Sequence, residues 1–135
     1  MPTLRSMGTG LFAAALFAGS AVYAHHSFPA VYDTAVRIML DGVVEEVWYE
    51  NPHARLYLSV DQGGGETVLW ELEAAGATQL RRQGWGYSSI KVGDRVSIEG
   101  SPAREHDNRA YIRILSLADG SVFWVSDPAY LRESE

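Results

Sequence analysis

Cysteine is absent from the 135 residues. That excludes disulfides, thiolate metal sites, cysteine nucleophiles and a lipid-modified N-terminal cysteine together. Basic side chains are also scarce: 11 Lys+Arg stand against 17 Asp+Glu, a formal net charge of −6. Phosphate contacts need a basic face, so this balance leads us to expect no nucleic-acid partner. There is no G-x-S-x-G, no P-loop, no dinucleotide fingerprint and no His/Glu spacing of a metal hydrolase. No catalytic set stands out, and a non-enzymatic role is the expectation. Apolar residues are plentiful at 47%, enough for one packed domain in a chain of this length.

The N-terminus carries one positive side chain, Arg5, then an apolar run over 11–18, then small residues up to Ala24. A charged start, an apolar centre and small residues at −3 and −1 read as a secretory signal peptide over 1–24, cleaved after Ala24. The apolar centre is short for a ~30 Å hydrocarbon layer, which argues against an anchor. The expected product is exported, most simply to a bacterial periplasm, and does not span the membrane. Removing 24 residues would leave 111, with a net charge of −7 because Arg5 is lost.

After a polar, irregular lead-in over 25–35, the pattern becomes that of strands. Ile38, Leu40 and Val44 share one face, and the next apolar positions, Val47 and Tyr49, have shifted parity. A period of two that slips by one predicts a bulge near Glu45-Glu46 in a long, bent first strand. Asn51-Pro52 ends it. Leu56, Leu58 and Val60 alternate in a second strand, and Val68, Trp70 and Leu72 in a third. Ala77 to Gln83 loses the alternation and closes at Gly84, a short helix with its C′ glycine. Strands follow at 95–99, 110–117 and 122–125, and a polar tail at 126–135. Three strands, a helix and two strands, with an extra hairpin strand, is the order of an OB-like barrel over 36–125. The fold class is all-β with one short helix, five or six strands; the competing architecture is a β-sandwich or jelly-roll piece.

Four histidines carry the chemistry: His25, His26, His53 and His106. Cleavage after Ala24 would make His25 the N-terminal residue. Its α-amine, with an ordinary pKa of ~7.7–8.0, and its Nδ1 can chelate one metal in a single ring. A further imidazole completes a nitrogen site suited to copper. This arrangement resembles the histidine brace of secreted copper proteins. His53 follows Asn51-Pro52 in the loop between the first two strands, and His106 lies in the loop 101–108. These are the loops that frame the binding face of an OB barrel. Glu50, Asp33 and Asp107 are candidate oxygen donors. The competing reading makes 25–26 a solvated start, His53 a loop cap and His106 plain surface.

Other features read as structure. Glu71 and Glu73 share the strand face opposite Val68, Trp70 and Leu72, which reads as solvated surface. Arg81 and Arg82 read as the wet face of the helix, with Trp85 plugging the barrel bottom. Trp48, Trp70 and Trp124 read as core or barrel wall.

His25-His-Ser-Phe28 after a leader, Gly42-x-Val-x-x-Val-x-Tyr-x-Asn-Pro-His53, Leu80-Arg-Arg-x-Gly-Trp85 and Lys91-x-Gly-Asp-x-Val96 occur in one chain in that order. In this the chain resembles the family of small exported bacterial proteins known as domain of unknown function 6152. The resemblance spans His25 to about Trp124. It implies export, a small β-barrel and a role for His25, His26, Asn51, Pro52 and His53; His106 matches none of its motifs. The function expected is an exported small-ligand-binding protein, with copper as the ligand held by His25, His26 and His53. The alternative is a non-catalytic interaction protein docking on a periplasmic or membrane-complex partner.

Overall fold

The computed structural model describes residues 28–125. The predicted leader with its Ala24 junction, both N-terminal histidines and the tail 126–135 lie outside the described residues. The element order is α1 (Phe28–Val31), β1 (Ile38–Trp48), β2 (Arg55–Gly63), β3 (Glu66–Glu73), α2 (Ala77–Arg82), β4 (Arg95–Pro102), β5 (Arg109–Leu117) and β6 (Val122–Trp124). Among the described residues, no helix is long and apolar enough to cross a membrane.

Long β1 serves both halves of the sheet. It pairs antiparallel with β2 on one side and β4 on the other. Its register slips between Val44 and Glu46, so Val44 faces Leu58 while Glu46 faces Tyr57. This is the bulge expected from the parity change, and it bends the strand. Gly42 permits the tight coil: a Cβ there would lie 2.4 Å from the Ser59 carbonyl oxygen.

The barrel closes where β3 pairs parallel with β5, Leu72 against Ala110. The strand order β3-β2-β1-β4-β5, returning to β3, is a closed five-stranded OB-type barrel with one extra strand, β6. β6 pairs with the second half of β5, and β3 with the first. That closure rules out the sandwich and jelly-roll alternatives. Leu40, Val44, Leu56, Leu58, Val60, Leu72, Val96, Ile98, Ile112 and Leu115 fill the interior. From α2 and its return to β4, Leu80, Trp85 and Ile90 join the same core.

Four local expectations are corrected. The lead-in contains a helical turn, α1, and Tyr32 then forms a β-bridge with Ala103. β4 runs on to Pro102, which shortens the loop expected from residue 101. Trp48 and Trp124 are exposed, at 39% and 51%, rather than core. The third correction has a plain cause: inward Val47 and Tyr49 oblige Trp48, between them, to point out. The fourth concerns Glu73 and belongs to the site.

Candidate functional site

His53 is placed by the turn between β1 and β2. Asn51-Pro52 is a cis peptide. Past His53, the Ala54 N–H donates to the Ala75 carbonyl at 3.3 Å and the Ala74 N–H to the Ala54 carbonyl at 2.9 Å. These bonds lay the histidine beside the end of β3, where Glu73 sits. His53 Nδ1 lies 3.0 Å from Glu73 Oε1. The imidazole side chain is 54% exposed and the carboxylate 15%.

Glu73 is the centre of the arrangement. Its Oε2 accepts from the Tyr32 hydroxyl at 2.6 Å and from Arg109 Nη2 at 3.0 Å. Arg109 Nε also lies 3.6 Å from Glu71 Oε1. The parallel closure explains the convergence, because it sets Glu71 opposite Arg109 and Glu73 opposite Tyr111. Glu73 is therefore no solvated strand residue, contrary to expectation. Tyr32 from the lead-in, Arg109 from the closing strand and His53 from the loop cover its carboxylate. Tyr32 is buried, and its phenol is held well above the ordinary range, first by burial and then by the carboxylate it donates to. Two carboxylates around one guanidinium leave the cluster one negative charge in excess, which favours a cation beside it.

The remaining candidates separate. His106 is exposed in the loop between β4 and β5. Of the oxygen donors, Asp33 is paired with Arg104 at 3.2 Å, Glu50 with Arg55 at 3.0 Å, and Asp107 is exposed. Among the described residues, no group of three His, Asp or Glu is placed to hold a metal by itself. His25 and His26 lie outside the described residues. An open cleft of about 600 Å³, lined by Asp41, Ser59, Asp61, Thr67 and Arg95 among others, contains neither His53 nor His106.

Sequence reasoning missed Glu73, Tyr32 and Arg109 as a unit. The missing signal is the β3–β5 pairing, which is non-local. That reasoning named Asn51 but not its cap: Nδ2 donates to Thr78 Oγ1 and Oδ1 accepts from the Thr78 N–H, both at 3.1 Å. The loop thereby caps α2, whose own N-cap is Gly76 with no side chain to offer. A Cβ on Gly76 would lie 2.5 Å from the Pro52 carbonyl oxygen, so glycine is what lets the loop approach.

The chain belongs to the family of unknown function DUF6152, whose model matches residues 14–111. No curated protein matches it. Two crystal forms of the mitochondrial single-stranded DNA-binding protein Rim1 of S. cerevisiae are similar in structure. One has 10% identity and a TM-score of 0.48, the other 12% and 0.49; each alignment covers 64% of this chain and 96% of that one. At such identity the likeness concerns the fold alone. One expectation is corrected: net charge does not exclude a nucleic-acid partner, and the two similar structures are of a protein described as binding single-stranded DNA. Net charge sums over the whole chain, whereas strand binding depends on local cations and exposed aromatic rings.

Proposed function

We propose that this member of the DUF6152 family is an exported binding module that holds copper at the rim where His53 lies. His25 and His26, at the start of a chain cut after Ala24, supply the other nitrogens. The observation that carries this reading is the pairing of His53 Nδ1 with Glu73 Oε1 at 3.0 Å. A carboxylate on one ring nitrogen is the usual outer partner of a metal-ligating histidine, because it fixes the ring and makes the other nitrogen more basic. Among the described residues Nε2 has no partner, and the imidazole is half exposed. Glu73 is itself clamped by Tyr32 and Arg109, so the ring it orients is preorganised.

Chain reach supports the same reading. The Phe28 ring packs on Tyr111 at 4.6 Å, and Tyr111 is the strand partner of Glu73. His25 is three residues before Phe28, and an extended chain covers ~3.3–3.6 Å per residue, so the terminus can reach about 10 Å from that anchor. The amine and imidazole of His25 with Nε2 of His53 make a three-nitrogen set suited to Cu(II).

The test is calorimetry with Cu(II) on three proteins: the chain starting at His25, the same chain with one extra N-terminal residue, and His53→Ala. Tight binding by the first alone is expected. Equal weak binding by the first two overturns the reading.

A second reading rests on β6. Among the described residues this strand pairs only with β5, and it exposes Val122 and Trp124, each at 51%. Such an edge suits a non-catalytic protein that docks on a partner. Under that reading Trp124→Ser abolishes partner capture and leaves copper binding unchanged.

A further inference from the structure

Between Glu73 and Asp94 the chain has no acidic residue, although the whole carries 17. The stretch contains Arg81, Arg82 and Lys91. All three are exposed, and among the described residues none of them forms an ion pair. By contrast Arg37, Arg55, Arg104 and Arg109, elsewhere in the barrel, each face a carboxylate, although exposed Arg95 has no ion pair among the described residues.

The stretch is held rigidly. Leu80, Trp85 and Ile90 are buried in the core at 0%, 6% and 4%. The Tyr49 hydroxyl lies 3.0 Å from the Ala77 carbonyl and 2.6 Å from the Trp85 carbonyl, joining the start of α2 to the turn beyond it. Around these anchors the exposed positions include the three cations, Tyr87 at 77% exposure and Val92 at 65%. Tyr87 rests on Tyr49, with ring centroids 4.4 Å apart.

We infer that this face docks on an anionic membrane surface. The charge is complementary to acidic headgroups, and the stretch itself holds no carboxylate; Asp94, with Glu45 and Glu46 beside Val44, lies at its Lys91 end, away from Arg81 and Arg82 in sequence. Tyr87 and Val92 decide between polyanions. A nucleic acid rewards cations and a stacking ring but offers an exposed valine nothing. A headgroup layer takes the cations at the phosphates, the tyrosine at the interface and the valine at the acyl boundary. This inference is independent of copper binding.

Sedimentation of the full chain with vesicles tests it, using phosphatidylcholine alone or mixed with phosphatidylglycerol. Any apolar contribution of residues 11–18 is common to all variants, so the differences report the face. Binding to the mixed vesicles is expected to exceed binding to phosphatidylcholine at least tenfold at low salt. It should fall at least tenfold in Arg81→Glu/Arg82→Glu, and several-fold in Tyr87→Ser/Val92→Ser. Circular dichroism and the unfolding midpoint establish that each variant folds. Folded variants that bind as the wild type does overturn the proposal. So does a single-stranded oligonucleotide that binds more tightly than the vesicles and depends on Arg81 and Arg82 but not on Val92.

Discussion

Two regions of this barrel meet where Asn51 caps Thr78, and they treat charge in opposite ways. On the strand side, Glu73 gathers a phenol, a guanidinium and an imidazole within 3.0 Å. On the helix side, Arg81, Arg82 and Lys91 are exposed above a mainly apolar anchor. The first region is held by polar contacts and positions chemistry. The second is held chiefly by burial, with the Tyr49 hydroxyl on two carbonyls, and leaves its charges without ion-pair partners among the described residues. If that contrast is right, substitutions should divide the two regions by both size and kind of effect.

The largest effect should come from the apolar anchor. Leu80→Ala removes a fully buried side chain from a core position. Large-to-small changes of this kind cost about 2–5 kcal/mol. Urea unfolding should show that loss, and amide exchange over 77–93 should rise more than exchange around Glu73. A loss under about 1 kcal/mol, at the low end of such substitutions, would mean that burial is not what holds the helix side.

Glu73→Gln comes next. The amide keeps the shape but presents one donor where three donors converge. Leaving partly buried donors unmatched costs about 1–3 kcal/mol. The change should also weaken Cu(II) binding about 10–100-fold, the usual size for an outer partner of a metal ligand. Unchanged copper affinity with reduced stability would make the cluster purely structural.

How much of this contrast the sequence shows depends on how local the cause is. The bulge at Glu45-Glu46, the alternation in the second strand and the helix closing at Gly84 are local patterns, and each was readable. Trp48 was equally readable from the parity of Val47 and Tyr49, but a preference for burying tryptophan overrode the period. Glu73 was not readable. It and Glu71 have the spacing of a solvated face, and only the closure of β3 on β5 brings Arg109 against them. The histidine in the loop was found by its residue type, and its carboxylate partner, twenty positions on, was not. The acid-free stretch lay open in the sequence, but that its anchors point inward and its cations outward is a fact of the fold.

Tyr32→Phe separates the polar region by pH. The folded phenol is held above its ordinary value of about 10, chiefly by burial and then by Glu73. A raised value means the neutral form stabilises the fold. That contribution is present in full below pH ~10 and is lost as pH rises towards the folded value. Near neutrality the variant should be about 1 kcal/mol less stable through the missing hydrogen bond. Above pH ~10 the gap should narrow, as urea midpoints measured from pH 8 to 11.5 would show. A gap that stays constant would mean that the phenol's ionisation is not linked to folding.

Arg82→Gln should have the smallest effect and therefore defines the other end of the contrast. Arg82 is exposed, has no ion-pair partner among the described residues and sits in the last turn of α2. Its one stabilising term is the attraction of a cation to a helix C-terminus, about 0.3 kcal/mol at an exposed site in salt. The urea midpoint should move by no more than that implies. Glutamine has similar helix propensity, so no compensating gain hides a loss. A drop above about 1 kcal/mol would exceed what an exposed charge contributes and would give Arg82 a structural task. The helix side would then be a second polar network like the one around Glu73, and its cations would not be free for an outside partner. A midpoint that stays put, beside a clear loss in Glu73→Gln, leaves the arginine with no work inside the fold and its charge directed outward.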